Sequence, residues 1–129
     1  MNIILDLLYI SLGASLGALC RWLISLSLNS LFPLLPPGTF LVNILGSFLM
    51  GLFMALLMQY PLLASWMRPL LLTGFLGSFT TFSTFAAEMG ALLQQEKIIW
   101  LSLGVLLHVG VSISWFLLGL WLGKFVKSA

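Results

Sequence analysis

The chain has 129 residues, of which 61% are hydrophobic and only 6% are charged, and its mean hydropathy is +1.19. A water-soluble domain carries about 25% charged residues, so this composition excludes a water-soluble protein and predicts a single domain embedded in lipid. A net charge of +2, spread along the chain, argues against a nucleic-acid partner, and a lone cysteine, Cys20, excludes an intrachain disulfide.

Four apolar segments are long enough to cross a membrane. A helix needs about 20 apolar residues to span a hydrocarbon core of about 30 Å. The segments that meet this length lie at residues 3–28, 39–58, 67–93 and 98–123. Prolines or polar residues occupy the joints between them. The sequence therefore predicts an all-α, multi-pass membrane protein with one transmembrane domain over residues 1–129.

The first two spans each place polar groups inside the membrane. Arg21 lies about 10 Å from the end of the first span, so its long side chain would also reach the lipid headgroups. Thr39, Asn43 and Ser47 recur every fourth residue along the second span and share one helix face. Polar groups at this depth usually face another helix or a water path. This stripe predicts either hydrogen bonds between helices or the lining of an ion path.

The third span contains the segment GFLGSFTTFSTF (Gly74–Phe85), in which hydroxyl groups and phenylalanines interrupt the apolar run. The centre of the bilayer falls about ten residues into the span, near Gly77. Glycines and the adjacent Thr80 and Thr81 lower the helix propensity there, and hydroxyls compete for backbone hydrogen bonds. Two structures remain open: a continuous helix with close glycine packing, and a helix broken at the midplane.

Polar and aromatic side chains also align at helical spacing on the third and fourth spans: Phe82, Phe85 and Glu88 with Ser83 and Thr84 beside them, and His108 with Ser112. All of them would also fit ordinary helix packing. A phenyl ring has a positive edge that can hold an anion, and hydroxyl or amide groups can replace the hydration of an ion. No paired carboxylates or catalytic motif accompany them, so the pattern favours an ion path over an enzyme.

The basic residues of the loops give little preference for one orientation. Arg68, Lys124 and Lys127 lie on one side of the predicted membrane, and Arg21 and Lys97 lie on the other. Because orientation follows the bias of lysine and arginine between the two sides, this balance predicts insertion in both directions. Two opposed copies would form an inverted pair, like the inverted repeats of larger transporters.

Three segments of the sequence resemble one known family. GTFLVNILGSFLMG (Gly38–Gly51), the pair Arg21–Trp22 and, above all, TGFLGSFTTFSTFAAE (Thr73–Glu88) are similar to the Fluc (CrcB) family of bacterial fluoride channels. The resemblance covers nearly the whole chain. It implies a passive channel that exports toxic fluoride across the bacterial inner membrane. It also implies an antiparallel, dual-topology homodimer in the lipid, with two pores and a third helix that is broken at the midplane.

The resemblance further implies roles for individual residues. A structural sodium ion, which is not transported, would be bound at the dimer centre by the backbone carbonyls of Gly77 and Thr80. The residues expected to line the fluoride pore are Phe82, Phe85, Asn43, Ser83, Thr84 and Ser112. The residues expected in a vestibule or in support are Thr39, Arg21, Glu88 and His108. This chain has Ser78 and Phe79 where the family commonly has glycine and leucine, which leaves the packing at the break open.

Two other functions remain possible at this point. A small dual-topology exporter of drug cations also has four spans and forms a dimer, but it needs an acidic residue deep in the first span. Here Asp6 lies at the edge of that span, and the interior carries Arg21 instead. A non-transporting membrane assembly subunit would use the polar stripes only for packing.

Overall fold

The computed structural model describes residues 2–126; Lys127, which was counted in the charge balance, lies outside them. Four helical spans in this range are long and apolar enough to cross a membrane: Ile3–Leu31, Pro37–Gln59, Pro61–Gln94 and Ile98–Phe125. The prediction of an all-helical, multi-pass membrane protein is confirmed.

The helices follow one another with short joints. The elements are α1 (Ile3–Leu28), a 3-10 turn (Asn29–Leu31), α2 (Pro37–Gln59), α3 (Pro61–Met67), a π-helical segment (Arg68–Leu76), α4 (Gly77–Phe79), α5 (Phe82–Gln94) and α6 (Ile98–Phe125). The Asn2 side chain caps α1 by accepting a hydrogen bond from the Ile4 N–H (3.2 Å). The third span therefore consists of α3, the π-helical segment, α4 and α5.

The third span begins at Pro61, six residues before the predicted start at Met67. Proline is well tolerated at the first position of a helix, where its missing N–H would have no partner. The Tyr60 carbonyl accepts hydrogen bonds from the N–H groups of Leu63 and Ala64 (both 3.1 Å), which closes the first turn. Ser65 lies inside α3, and its hydroxyl donates to the Leu62 carbonyl (3.0 Å).

A π-helical segment follows α3, which the sequence did not predict. Pro69 lies at its start and has no N–H to donate to the preceding turn. Wide turns of this kind relieve such a local mismatch without ending the helix. At the far end, the Gly77 N–H is within bonding reach of the carbonyls of both Gly74 and Leu72.

Glycines bring the long helices into backbone contact. A Cβ atom built on Gly13 would overlap the Leu70 carbonyl oxygen of the π-helical segment. In the same way, a Cβ on Gly51 of α2 would overlap the Phe116 carbonyl oxygen, and one on Gly119 of α6 would overlap that of Phe48. Small residues allow this close approach in membranes, where apolar burial does not drive helices together. The packing holds α1 against the third span and α2 against α6.

Few apolar side chains are buried within the single chain. One core cluster consists of Val42, Leu76 and Phe79, and a second consists of Phe85, Met89 and Leu92. Most large apolar side chains on the outer helix faces are exposed instead. Such faces are unsuited to water and suited to lipid or to another protein surface.

Candidate functional site

A groove of about 430 Å³ lies between α2, α5 and α6, beside the joint of α4 and α5. Its lining residues are Asn43, Gly46, Ser47, Met50, Thr80, Thr81, Phe82, Phe85, His108, Val109, Ser112, Ile113 and Phe116. Four of the six residues that the resemblance places along a pore, Asn43, Phe82, Phe85 and Ser112, therefore share one groove. The groove combines aromatic rings with an amide and hydroxyls in an otherwise apolar chain.

Two residues with extended backbone separate α4 from α5. Thr80 has φ −81° and ψ 159°, and Thr81 has φ −150° and ψ 119°, so neither continues the helix. The Thr80 hydroxyl donates back to the Leu76 carbonyl (2.9 Å), which also accepts the Thr80 N–H (3.1 Å). The Thr80 methyl group lies so close to Gly46 that a Cβ there would overlap it. Gly46 thus makes room for this turn of the chain.

Asn43 holds the extended segment from the opposite helix. Its Oδ1 accepts a hydrogen bond from the Thr81 N–H (2.8 Å), and its Nδ2 donates to the Thr81 carbonyl (3.0 Å). Both backbone groups of Thr81 are therefore satisfied by one side chain of α2. Backbone groups at membrane depth need such partners, because the lipid offers none. The Asn43 Nδ2 also lies 3.5 Å from the His108 Nδ1.

Thr81 is the N-cap residue of α5. Its Oγ1 accepts a hydrogen bond from the Thr84 N–H (3.2 Å) and donates to the Thr84 Oγ1 (3.0 Å). The Ser83 hydroxyl lies 3.4 Å from the same Thr81 oxygen and is exposed. Ser83 and Thr84 are therefore next to the groove but are not among its lining residues.

The two phenylalanines of α5 lie side by side in different surroundings. Their ring centroids are 5.5 Å apart, yet Phe82 is 76% exposed and Phe85 only 7%. One face of Phe85 stacks on the His108 ring at a centroid distance of 4.5 Å. Phe40 packs against His108 from another side, edge to face at 5.0 Å. His108 is thus a buried packing partner that fixes the Phe85 ring.

A second polar cluster connects α2 to α5 outside the groove. Asn29 accepts from the Thr39 N–H through Oδ1 (3.1 Å) and donates to the Thr39 Oγ1 through Nδ2 (3.3 Å). The Thr39 hydroxyl in turn donates to the Glu88 Oε1 (2.5 Å). Thr39 is fully buried, and the Glu88 Oε2 is buried with no hydrogen-bond partner within the described part of the chain.

Arg21 and Ser78 join α1 to the end of α4. The Arg21 Nε donates to the Ser78 carbonyl (2.9 Å), so the guanidinium is held at the helix end instead of reaching for the headgroups. The Ser78 hydroxyl bonds to the carbonyls of Gly74 (2.6 Å) and Ala14 (2.9 Å). Gly77 is exposed, and a Cβ on it would meet only the Leu72 carbonyl oxygen, at 3.7 Å.

The structure separates the predicted site residues into three groups. Gly77 and Arg21 lie at the end of α4 together with Thr80, which also lines the groove. The groove further holds Asn43, Phe82, Phe85, His108 and Ser112, and the second polar cluster holds Thr39 and Glu88. Ser83 and Thr84 adjoin the groove without lining it. From the sequence, Thr81 was expected only to lower the helix propensity, and Gly46 was not singled out. The position of Thr81 just before an apolar helix was a signal for an N-cap, whereas nothing local marked Gly46.

Comparison with known proteins places the chain in a family. A family model described as "CrcB-like protein, Camphor Resistance (CrcB)" matches residues 8–120. A Tolumonas auensis protein named "Fluoride-specific ion channel FluC" is 48% identical over 115 residues, which cover 89% of this chain and 91% of that protein. A protein with the same name from Pseudomonas paraeruginosa is 48% identical over 116 residues, which cover 90% of this chain and 91% of that protein. Another, from Desulfovibrio desulfuricans, is 43% identical over 111 residues, which cover 86% of each chain. The chain belongs to the CrcB-like family.

Proposed function

We propose that this protein is a passive fluoride channel, not an enzyme, and that the groove beside Thr80 and Thr81 is part of its ion path. The observation that carries this proposal is the joint placement of Phe82 and Phe85 with Asn43 and Ser112 along one groove of a membrane protein. The names of its relatives support fluoride as the ion. Fluoride is small and strongly hydrated, so several hydrogen-bond donors and positive ring edges must replace its water.

The drug-cation exporter is disfavoured by the position of the acidic groups. An exporter of this kind needs a carboxylate that can exchange protons within the transport path. Glu88 is the acidic residue nearest to the groove in sequence, but it is absent from the lining and accepts the Thr39 hydroxyl instead. Arg21, in the first span, donates to a backbone carbonyl. Among the described residues, neither arrangement places a carboxylate in the lining of the groove beside Thr80 and Thr81.

Ion efflux from liposomes tests the function. Purified protein in vesicles loaded with potassium fluoride should release fluoride to a fluoride electrode once valinomycin lets potassium follow. Vesicles loaded with potassium chloride should release little chloride in the same time. Release of an organic cation that requires a proton gradient would favour the exporter, and no release of any of these ions would favour a packing role.

We propose further that the pore is completed by a second, antiparallel copy. The support is the exposure of groups that a channel needs covered: Phe82 is 76% exposed, and Gly77 lies open beside the extended residues. Irregular backbone at membrane depth requires surrounding protein or a wet cavity. A dual-topology pair would bring the interrupted third spans of both copies together at the midplane, with one groove on each side.

Tags on the C-terminus test the orientation of the copies. Because the basic residues are almost balanced between the two sides, tagged chains should be found facing both sides of the membrane in comparable amounts. Two reporters measure the two populations, one that is active only inside the cell and one that is active only outside the membrane. Each reporter is fused to the C-terminus in a separate strain. Adding three lysines after the C-terminus should shift the population towards one side. A parent population in a single orientation would exclude the antiparallel pair.

The backbone carbonyl oxygens at the end of α4 are suited to bind a structural sodium ion. In a continuous helix, the Gly77 carbonyl would accept the Thr81 N–H, but that group donates to the Asn43 Oδ1. Arg21 occupies the neighbouring Ser78 carbonyl, and the Thr80 hydroxyl is turned back to Leu76. Among the described residues, no turn or loop hydrogen bond of the backbone uses the carbonyl of Gly77 or Thr80. These two carbonyls are the proposed ligands, and a single chain would supply only two oxygens. The ion would supply positive charge between the two copies.

Substitutions at Gly77 and Thr80 test the sodium site. Because backbone oxygens are the proposed ligands, Thr80→Ser should keep a stabilisation of the dimer by sodium over potassium, while Gly77→Val should lose it. Within one chain, a Cβ at Gly77 would meet only the Leu72 carbonyl oxygen, at an ordinary contact distance of 3.7 Å, so the loss would arise at the contact between copies. Gly90→Val is the control, since a Cβ at Gly90 of α5 would meet no atom within 4 Å. A thermal midpoint that does not depend on sodium in the parent protein would contradict the site.

A further inference from the structure

A second groove, of about 740 Å³, lies between the start of α1 and the start of the third span. Its lining residues are Asn2, Leu5, Asp6, Tyr9, Ile10, Ala64, Ser65, Trp66, Arg68, Pro69 and Thr73. Within residues 2–126, it shares no lining residue with the groove beside Thr80 and Thr81. Both walls are formed by the beginnings of spans, and the first and third spans of a chain begin on the same side of a membrane.

The groove is lined by one acidic and one basic side chain that do not form an ion pair with each other. Asp6, which is half-buried, lies in the first turn of α1, and the exposed Arg68 lies at the start of the π-helical segment. Among the described residues, no ion pair or hydrogen bond links these two side chains. Both charges line the same groove, where they would face a ligand that carries an anionic and a cationic group.

The position of the groove fits the headgroup region of a lipid bilayer. The Tyr9 and Trp66 rings lie 6.3 Å apart on the two walls, and such aromatic residues are enriched at the level of the headgroups. Leu5 and Ile10 supply apolar surface next to the charges. A ligand in this place would have a polar end and an apolar end.

We propose that this groove binds the headgroup of a phosphatidylethanolamine lipid. The phosphate would accept hydrogen bonds from the Arg68 guanidinium, and the primary ammonium would donate to the Asp6 carboxylate. Arginine matches phosphate oxygens with paired donors. A phosphatidylcholine headgroup cannot donate in this way, and phosphatidylglycerol has no cation for Asp6. The site does not depend on fluoride conduction.

Native mass spectrometry of the detergent-purified protein, titrated with single defined lipids, tests the site. Phosphatidylethanolamine should bind more tightly than phosphatidylcholine or phosphatidylglycerol. Since one basic residue near a membrane surface contributes about fivefold in affinity, Arg68→Gln should weaken phosphatidylethanolamine binding about fivefold. Asp6→Asn should weaken it similarly and leave phosphatidylglycerol binding unchanged or stronger. Lys124→Gln and Glu96→Gln, which change charges outside the groove, are the controls and should bind like the parent.

Three results would overturn the proposal. Equal affinity of the parent for all three lipids would show that the charges select nothing. If the two control substitutions weakened lipid binding as much as Asp6→Asn and Arg68→Gln do, the binding would depend on general surface charge and not on the groove. A disulfide between two copies of a Thr73→Cys, Cys20→Ser double variant would show that a second chain covers the groove and leaves no room for lipid.

Discussion

Replacing Phe82 or Phe85 with isoleucine is expected to reduce fluoride efflux from liposomes by up to about tenfold while the protein still assembles. Isoleucine keeps much of the bulk but has no positive ring edge, and interactions of aromatic rings that depend on this edge contribute about 0.5–1.5 kcal/mol. A barrier that rises by about 1.4 kcal/mol slows passage tenfold. The two rings are adjacent, at 5.5 Å between centroids, so an ion that passes one meets the other.

The two positions are expected to differ in their side effects. Phe82 is largely exposed within one chain, so Phe82→Ile should leave the thermal stability of the chain unchanged. Phe85 belongs to a buried cluster and stacks on His108, so Phe85→Ile should also lower the stability. The control is Phe48→Ile, which removes a ring that packs edge to face on Trp115 outside the groove. If both α5 variants conduct like Phe48→Ile, the rings serve packing only.

Hydropathy was sufficient to predict the number of membrane-spanning helices, because a helix that crosses lipid needs a length and an apolar composition that few other segments have. Local pattern was insufficient at the joint of α4 and α5, where a continuous and a broken helix remained open. The backbone there depends on Asn43, which lies 38 residues before Thr81 and takes both of its backbone groups. The local backbone propensities of Thr80 and Thr81 cannot predict a contact with such a distant residue. The π-helical segment also escaped prediction, although Pro69 offers a reason for it.

Helical spacing predicted which site residues share a face but not what each one touches. Phe82 and Phe85 do lie side by side, yet their exposures differ about tenfold because α6 brings His108 onto Phe85 alone. Thr39 and Asn43, one turn apart on α2, contact different partners, since Thr39 bonds to Glu88 and Asn43 to Thr81. These partners come from other helices, whose positions depend on packing between helices, such as the glycine contacts of α2 with α6. Sequence periodicity within one helix does not contain this information.

Asn43→Leu is expected to have the largest effect on stability of any substitution in the groove. The change keeps a similar volume but removes the partners of the Thr81 N–H and carbonyl, which are 2.8 Å and 3.0 Å from the asparagine. Leaving two such groups unpaired away from water costs several kcal/mol. The thermal midpoint of the purified protein should therefore fall sharply, and fluoride efflux should be lost with it.

Two further variants separate the structural role of Asn43 from contact with the ion. Ser47→Ala removes a hydroxyl from the same groove one turn later on α2 and should leave the thermal midpoint near that of the parent. Asn43→Asp keeps the acceptor for the Thr81 N–H but places an oxygen against the Thr81 carbonyl, so its midpoint should lie between those of the parent and Asn43→Leu. If Asn43→Leu stops efflux with an unchanged midpoint, Asn43 acts on the ion alone and the extended segment is stable without it. A midpoint that falls in proportion to the lost hydrogen bonds identifies Asn43 as the residue that holds the chain open beside the ion path.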